Sequence, residues 1–154
     1  PPMNFVPATV DGDRVQLPFA SIDLPAGAAP EVGDGRLLIA GIRPEHFEDA
    51  ALVDEAKRAR GVTFTAEVDV TEWLGSELFA YIPFDAPPEV TERLRSLARE
   101  LDSEALRSQL VVSLDPSSRI ARGDEAELWF DAGRVHLFDP VSGTNLTREA
   151  AAVG

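Results

Sequence analysis

No cysteine occurs among the 154 residues, which removes disulfides, thiolate metal ligands and cysteine nucleophiles together and leaves the redox compartment unreadable. Lysine is almost absent too. Lys57 is the only one, and 14 basic side chains face 27 acidic ones, for a formal charge of -13. Such a surface repels phosphate backbones and anionic headgroups, and the arginines are scattered rather than clustered, so nucleic acid is not an expected partner. No apolar run approaches the roughly 20 residues that span a bilayer, and the start lacks a basic, signal-like stretch. The chain is expected to be soluble. It begins Pro1-Pro2-Met3, which suggests a piece of something longer.

Imidazole is scarce. His46 and His136 are the only two, far apart and without a paired spacing, so zinc is not expected. No glycine-rich loop ends in Lys-Ser or Lys-Thr to cradle phosphates, and no GxGxxG string occurs. Ser76, in Leu-Gly-Ser-Glu-Leu, lacks the second glycine of a nucleophile elbow and reads as a hairpin residue. Glu67, Asp69 and Glu72 fall on or just past the polar face of one predicted strand, where solvated charge is the common outcome. Asp11 and Asp13 fall short of the ligand count of a calcium loop. A catalytic site, a metal and a cofactor are therefore all outside the expectation.

What is present suits one folded domain: 44% hydrophobic and 27% charged residues. Short runs with β-type alternation recur between turn signals, which predicts a mainly β protein, antiparallel and barrel-like, with one or two inserted helices. Strands are predicted over 4–10 and 14–19, with Pro7 and Pro18 placing them at an edge or a bulge. Others are predicted over 37–42, 62–71, 77–84, 110–114, 125–130 and 134–138. Residues 26–35 read as a surface loop. Residues 49–60 suit a short exposed helix or an irregular loop equally. At 88–109, Val90, Leu94, Leu97 and Leu101 recur at helical spacing, which predicts an amphipathic helical insertion covering its own core. Residues 1–148 form the domain in this reading, and 149–154 a frayed tail.

The most unusual string is Gly41-Ile42-Arg43-Pro44-Glu45-His46. Either Arg43 and Glu45 pair across a proline-fixed turn, or the string is a strand-terminating turn held by local hydrogen bonds. It resembles the hallmark of the C-terminal regulatory domain in ATP-binding subunits of maltose-type bacterial carbohydrate importers. Three further strings fit that family in the same order. Pro2-Met3-Asn4-Phe5 resembles its domain junction, Glu72-Trp73-Leu74-Gly75-Ser76-Glu77 its Glu-x-Leu-Gly hairpin, and Val135-His136-Leu137-Phe138-Asp139 its closing strand. The segments 49–60 and 88–109 look like expansions relative to shorter members.

The resemblance implies an OB-fold-like barrel, the transport-associated oligomer-binding domain, following an ATPase domain that this chain lacks. ATP and magnesium would belong to that missing domain. It implies as partners a second copy of the subunit, membrane permease subunits reached through the ATPase domain, and in some members a regulatory protein. It also implies a cytoplasmic location, peripheral to the inner face of the membrane. Carried over, Arg43, Glu45 and His46 belong to the hallmark turn, Glu72 and Gly75 to the hairpin, and Phe138 to the surface facing the second copy. A small-ligand sensor for oligosaccharides or oxyanions is the alternative, since barrels of this kind bind ligands through loops and strand faces.

Overall fold

The computed structural model describes residues 3–25, 35–97 and 108–147. Within them run β1 (Asn4–Asp11), β2 (Arg14–Gln16), β3 (Ser21–Asp23), β4 (Leu37–Ile42), β5 (Phe47–Asp49), α1 (Glu55–Arg58), β6 (Gly61–Glu67), β7 (Val70–Leu74), β8 (Glu77–Pro83), α2 (Pro88–Leu97), β9 (Gln109–Leu114), β10 (Glu125–Asp131) and β11 (His136–Phe138). They form three sheets, ordered β11-β4-β1-β2-β3, β5-β10-β6 and β7-β8-β9. Every strand pairing is antiparallel.

Period-two alternation sends one face of each sheet into a single interior. Val6, Ala8 and Val10 of β1 meet Leu38, Ala40 and Ile42 of β4, Leu78, Ala80 and Ile82 of β8, Leu110, Val112 and Leu114 of β9, and Ala126, Leu128 and Phe130 of β10. Phe19 closes one end of this core. Its ring lies 4.9 Å from Phe64, 5.7 Å from Phe130, 6.2 Å from Phe84 and 6.4 Å from Phe47, mostly edge-on or tilted, arrangements that add about 0.5–1.5 kcal/mol per pair beyond area burial. The mainly β, OB-like expectation holds.

Several boundaries differ from the sequence reading. The predicted strand at 62–71 is broken at Val68-Asp69, where the Val68 amide donates to Asp124 and the Asp69 amide to Tyr81. The chain thereby leaves one sheet for the next, and Val70 lands on an exposed strand instead of in the core. The predicted strand at 14–19 stops at Gln16, and Pro18 lies in the turn before β3. Pro7 faces Ile39 of β4, on the half of β1 that β2 does not reach, so its missing donor costs no ladder bond. Gln109, assigned to the helical insertion, opens β9. Helix α2 spans Pro88–Leu97, and residues 98–107, with Leu101, lie outside the described residues. So do residues 26–34 of the predicted loop at 26–35, and all of the predicted tail at 149–154. The open choice at 49–60 resolves into both forms, a single 3-10 turn at Ala50–Leu52 followed by α1, each capped by an aspartate (Asp49, Asp54).

Strand β4 is buried on both faces. One face enters the main core. On the other, Leu37 and Ile39 form a second cluster with Phe5, Phe138, Val90 and Leu94, so α2 seals the outer side of the sheet.

Candidate functional site

The hallmark turn is a corner between sheets. β4 ends at Ile42, residues Pro44–His46 make one 3-10 turn, and β5 begins at Phe47 in the next sheet. Proline suits the first position of such a turn because its φ is preset and its absent N–H has no partner to lose. Its ring is buried, and the His46 amide donates to the Arg43 carbonyl at 3.0 Å. The ion pair envisaged between Arg43 and Glu45 does not form: both side chains point to solvent, and among the described residues no ion pair includes either. The local-hydrogen-bond version of the turn is the one observed.

Around this corner the structure gathers three of the four strings. The Asn4 amide donates to the carbonyls of Ile42 (3.1 Å) and Val111 (2.9 Å), and its oxygen accepts from the Val111 amide (2.8 Å). One buried side chain thus joins β1, β4 and β9 across two sheets. Gly41 explains its own place in the string. A Cβ there would lie 2.5 Å from Met3 Sδ and 2.8 Å from the Phe138 ring, so the glycine leaves room for both to cross the sheet. Phe138 stacks edge-on against Phe5 at 6.0 Å and is half-buried in the cluster beneath α2.

The two histidines flank the corner. Burial lowers the readiness of His46 to protonate, Arg134 and Arg43 add to this, and Glu45 and Asp131 oppose it. Its Nδ1 is buried without a hydrogen-bond partner among the described residues. Burial, with Arg43 next, also lowers His136, whose Nδ1 sits 3.1 Å from the Asn145 amide nitrogen. That donor requires an acceptor, so the His136 proton is on Nε2. Both rings thus lean further toward the neutral form, beside two arginines.

Glu72 and Gly75 lie apart from this group. β7 is two strands from β9, against which the corner packs, a spacing of about 10 Å. Gly75 has φ +66° in a two-residue turn between Leu74 and Glu77, the conformation for which a glycine is needed at the first turn position of a II′ hairpin. Glu72 accepts a hydrogen bond from the Tyr81 hydroxyl at 3.3 Å. Burial and that carboxylate together raise the phenol's pKa.

The sequence reading missed Asn4 as a staple, although an Asn amid β-formers was a usable signal. It also left Trp73 and Leu74 in the connection between two strands, whereas they belong to β7 and stand exposed. A cleft of about 620 Å³ opens between β3, β6 and the approach to β11, with Arg14, Arg60 and His136 among its polar walls. Among the described residues no group of three or more His, Asp or Glu could hold a metal ion, and no helix is long and apolar enough to cross a membrane.

Residues 1–47 match the MalK OB fold domain and residues 40–118 the TOBE domain. The trehalose import ATP-binding protein SugC of Mycobacterium tuberculosis is 37% identical over 156 residues, covering 96% of this chain and 38% of that protein. The sn-glycerol-3-phosphate import ATP-binding protein UgpC of Cereibacter sphaeroides is 28% identical over 95% of this chain and 32% of its own length. The oligosaccharides import ATP-binding protein MsmX of Bacillus subtilis is 25% identical over 90% of this chain and 33% of its own. The chain spans about a third of the length of these relatives.

Proposed function

This chain belongs to the TOBE domain family, and on that premise we propose that it is the regulatory and self-association module of the ATP-binding subunit of a carbohydrate importer. ATP and magnesium are then handled by a separate domain, and this chain turns over no nucleotide itself. Its partners are a second copy and the permease subunits reached through the ATPase domain, with a regulatory protein added in some members of the family. It works on the cytoplasmic side, peripheral to the membrane. The observation that carries the reading is the uninterrupted match of two family models across residues 1–118, reinforced by alignment with the trehalose importer subunit over 96% of the chain.

Sedimentation equilibrium over a wide concentration range tests it. A reversible dimer is expected, weak because the area is shared with a domain outside this chain. Strictly monomeric behaviour at the highest concentrations, or ATP hydrolysis by the purified chain, would count against it.

The cleft beside Arg14, Arg60 and His136 favours one second reading, a sensor for a small anionic or sugar ligand. Thermal shift with sugars, sugar phosphates and oxyanions decides, since a ligand at 100 times its Kd adds about 2.7 kcal/mol.

A further inference from the structure

We propose that the outer edge of β7 is a docking strand for an extended basic and apolar segment of another protein, which would join β7-β8-β9 as a fourth strand. The inference stands on the edge itself and does not depend on the importer assignment. β7 pairs with β8 on one side and with no strand on the other among the described residues. Because Leu74 and Glu77 flank a two-residue turn, the ladder alternation turns the backbone groups of Val70, Glu72 and Leu74 toward β8 and those of Thr71 and Trp73 outward. Such an edge is a template for another strand, and soluble proteins usually guard one with lysine, proline or a cover. Strand β7 carries no lysine and no proline. It shows apolar surface instead: Trp73 is 56% exposed, Leu74 49% and Val70 38%, three of the five large apolar side chains so exposed among the described residues.

Charge selects the occupant. From residue 61 to residue 84 the chain holds four acids, Glu67, Asp69, Glu72 and Glu77, and no basic residue. None of the four enters an ion pair among the described residues. Glu67 also faces Glu125 across the β6–β10 ladder, a like-charge pairing that a cation would relieve. A second copy fits poorly. Antiparallel pairing of β7 with itself about Glu72 would set two carboxylates opposite one another, on chains that each carry -13. A strand alternating Lys or Arg with Val or Leu satisfies the outward backbone groups, the apolar side chains and the acids together.

The probe is a fluorescein-labelled hexapeptide alternating Lys with Val, titrated by anisotropy, beside the same peptide with Glu for Lys. Saturable binding of the basic peptide, at least about 10-fold tighter than the acidic one, is expected. Trp73→Ala, an exposed anchor, should weaken it by about 10-fold or more, and Glu72→Lys comparably. Hydrogen exchange should gain protection at the Thr71 and Trp73 amides. Glu127→Lys, on another sheet, is the control. If it weakens binding as much as Glu72→Lys, if protection appears elsewhere, or if the basic peptide does not bind below about 1 mM, the proposal is overturned. Dimerisation of Trp73→Ala is read in parallel by sedimentation. Loss of the dimer would assign the edge to the second copy and overturn the proposal, whereas an unchanged dimer with lost peptide binding supports it.

Discussion

Asn4 spans two sheets with its hydrogen bonds, reaching β4 and β9 at once. Replacing it with alanine strands the Val111 amide and carbonyl. Each buried group so orphaned costs about 1–3 kcal/mol. Asn4→Ala is therefore expected to lower the urea unfolding free energy by at least about 2 kcal/mol. Glycines divide by cause. A Cβ on Gly61 would lie 2.0 Å from the Phe130 carbonyl oxygen, with the Trp129 ring as close as 2.5 Å, so Gly61→Ala must part β6 from β10 and should cost more than any substitution in open space. Gly75→Ala meets no atom but keeps φ +66°, and the left-handed penalty of about 1–2 kcal/mol sets its loss. The histidines make stability depend on pH. Both fold with lowered pKa, so the unfolded chain binds protons that the folded one refuses. Their contribution is complete above about pH 6.5 and is lost as pH falls below it. Denaturation midpoints should drop between pH 7.5 and 5.5, and the double variant His46→Asn, His136→Asn should flatten that slope.

At the scale of elements, α2 depends on its docking. It touches the sheet through Val90 and the fully buried Leu94, and a helix of ten residues is marginal in water without tertiary contact. Leu94→Ala should cost about 2–3 kcal/mol. The loss should appear first as faster hydrogen exchange in α2, with β4 and β1 still protected, because β4 keeps its main-core face. Uniform loss of protection in all three would show the helix to be integral to the barrel instead. The corner at residues 43–46 was legible as a strand end because Pro44 offers no N–H with which to extend the β4 ladder. That it carries the chain from one sheet to another was not legible, since Pro44 looks the same in a simple turn. The same limit hid the break at Val68-Asp69: alternation from Val62 to Val70 continues unbroken in the sequence, while the Val68 amide bonds Asp124, just before β10, and the Asp69 amide bonds Tyr81 of β8.

For the whole molecule, one interior shared by three sheets predicts a single cooperative transition. Near-ultraviolet and far-ultraviolet circular dichroism should give coincident melting curves; separated curves would mean that the sheets are independent units. Charge works at the same scale. With -13 on each copy, any self-association should strengthen as added salt screens the repulsion between two acidic bodies. The sequence alone determined the antiparallel β class, the runs that became β1, β4, β9 and β10, and the family, because short β-type runs between turn signals and the Gly-Ile-Arg-Pro-Glu-His string are properties of consecutive residues. Tertiary structure alone decided that Arg43 and Glu45 stay apart, that Phe138 lies beneath α2, and that Trp73 stands on an open edge. Each of those is fixed by which distant strand arrives alongside, and such adjacency is set by closing long loops over one core, which local spacing does not encode.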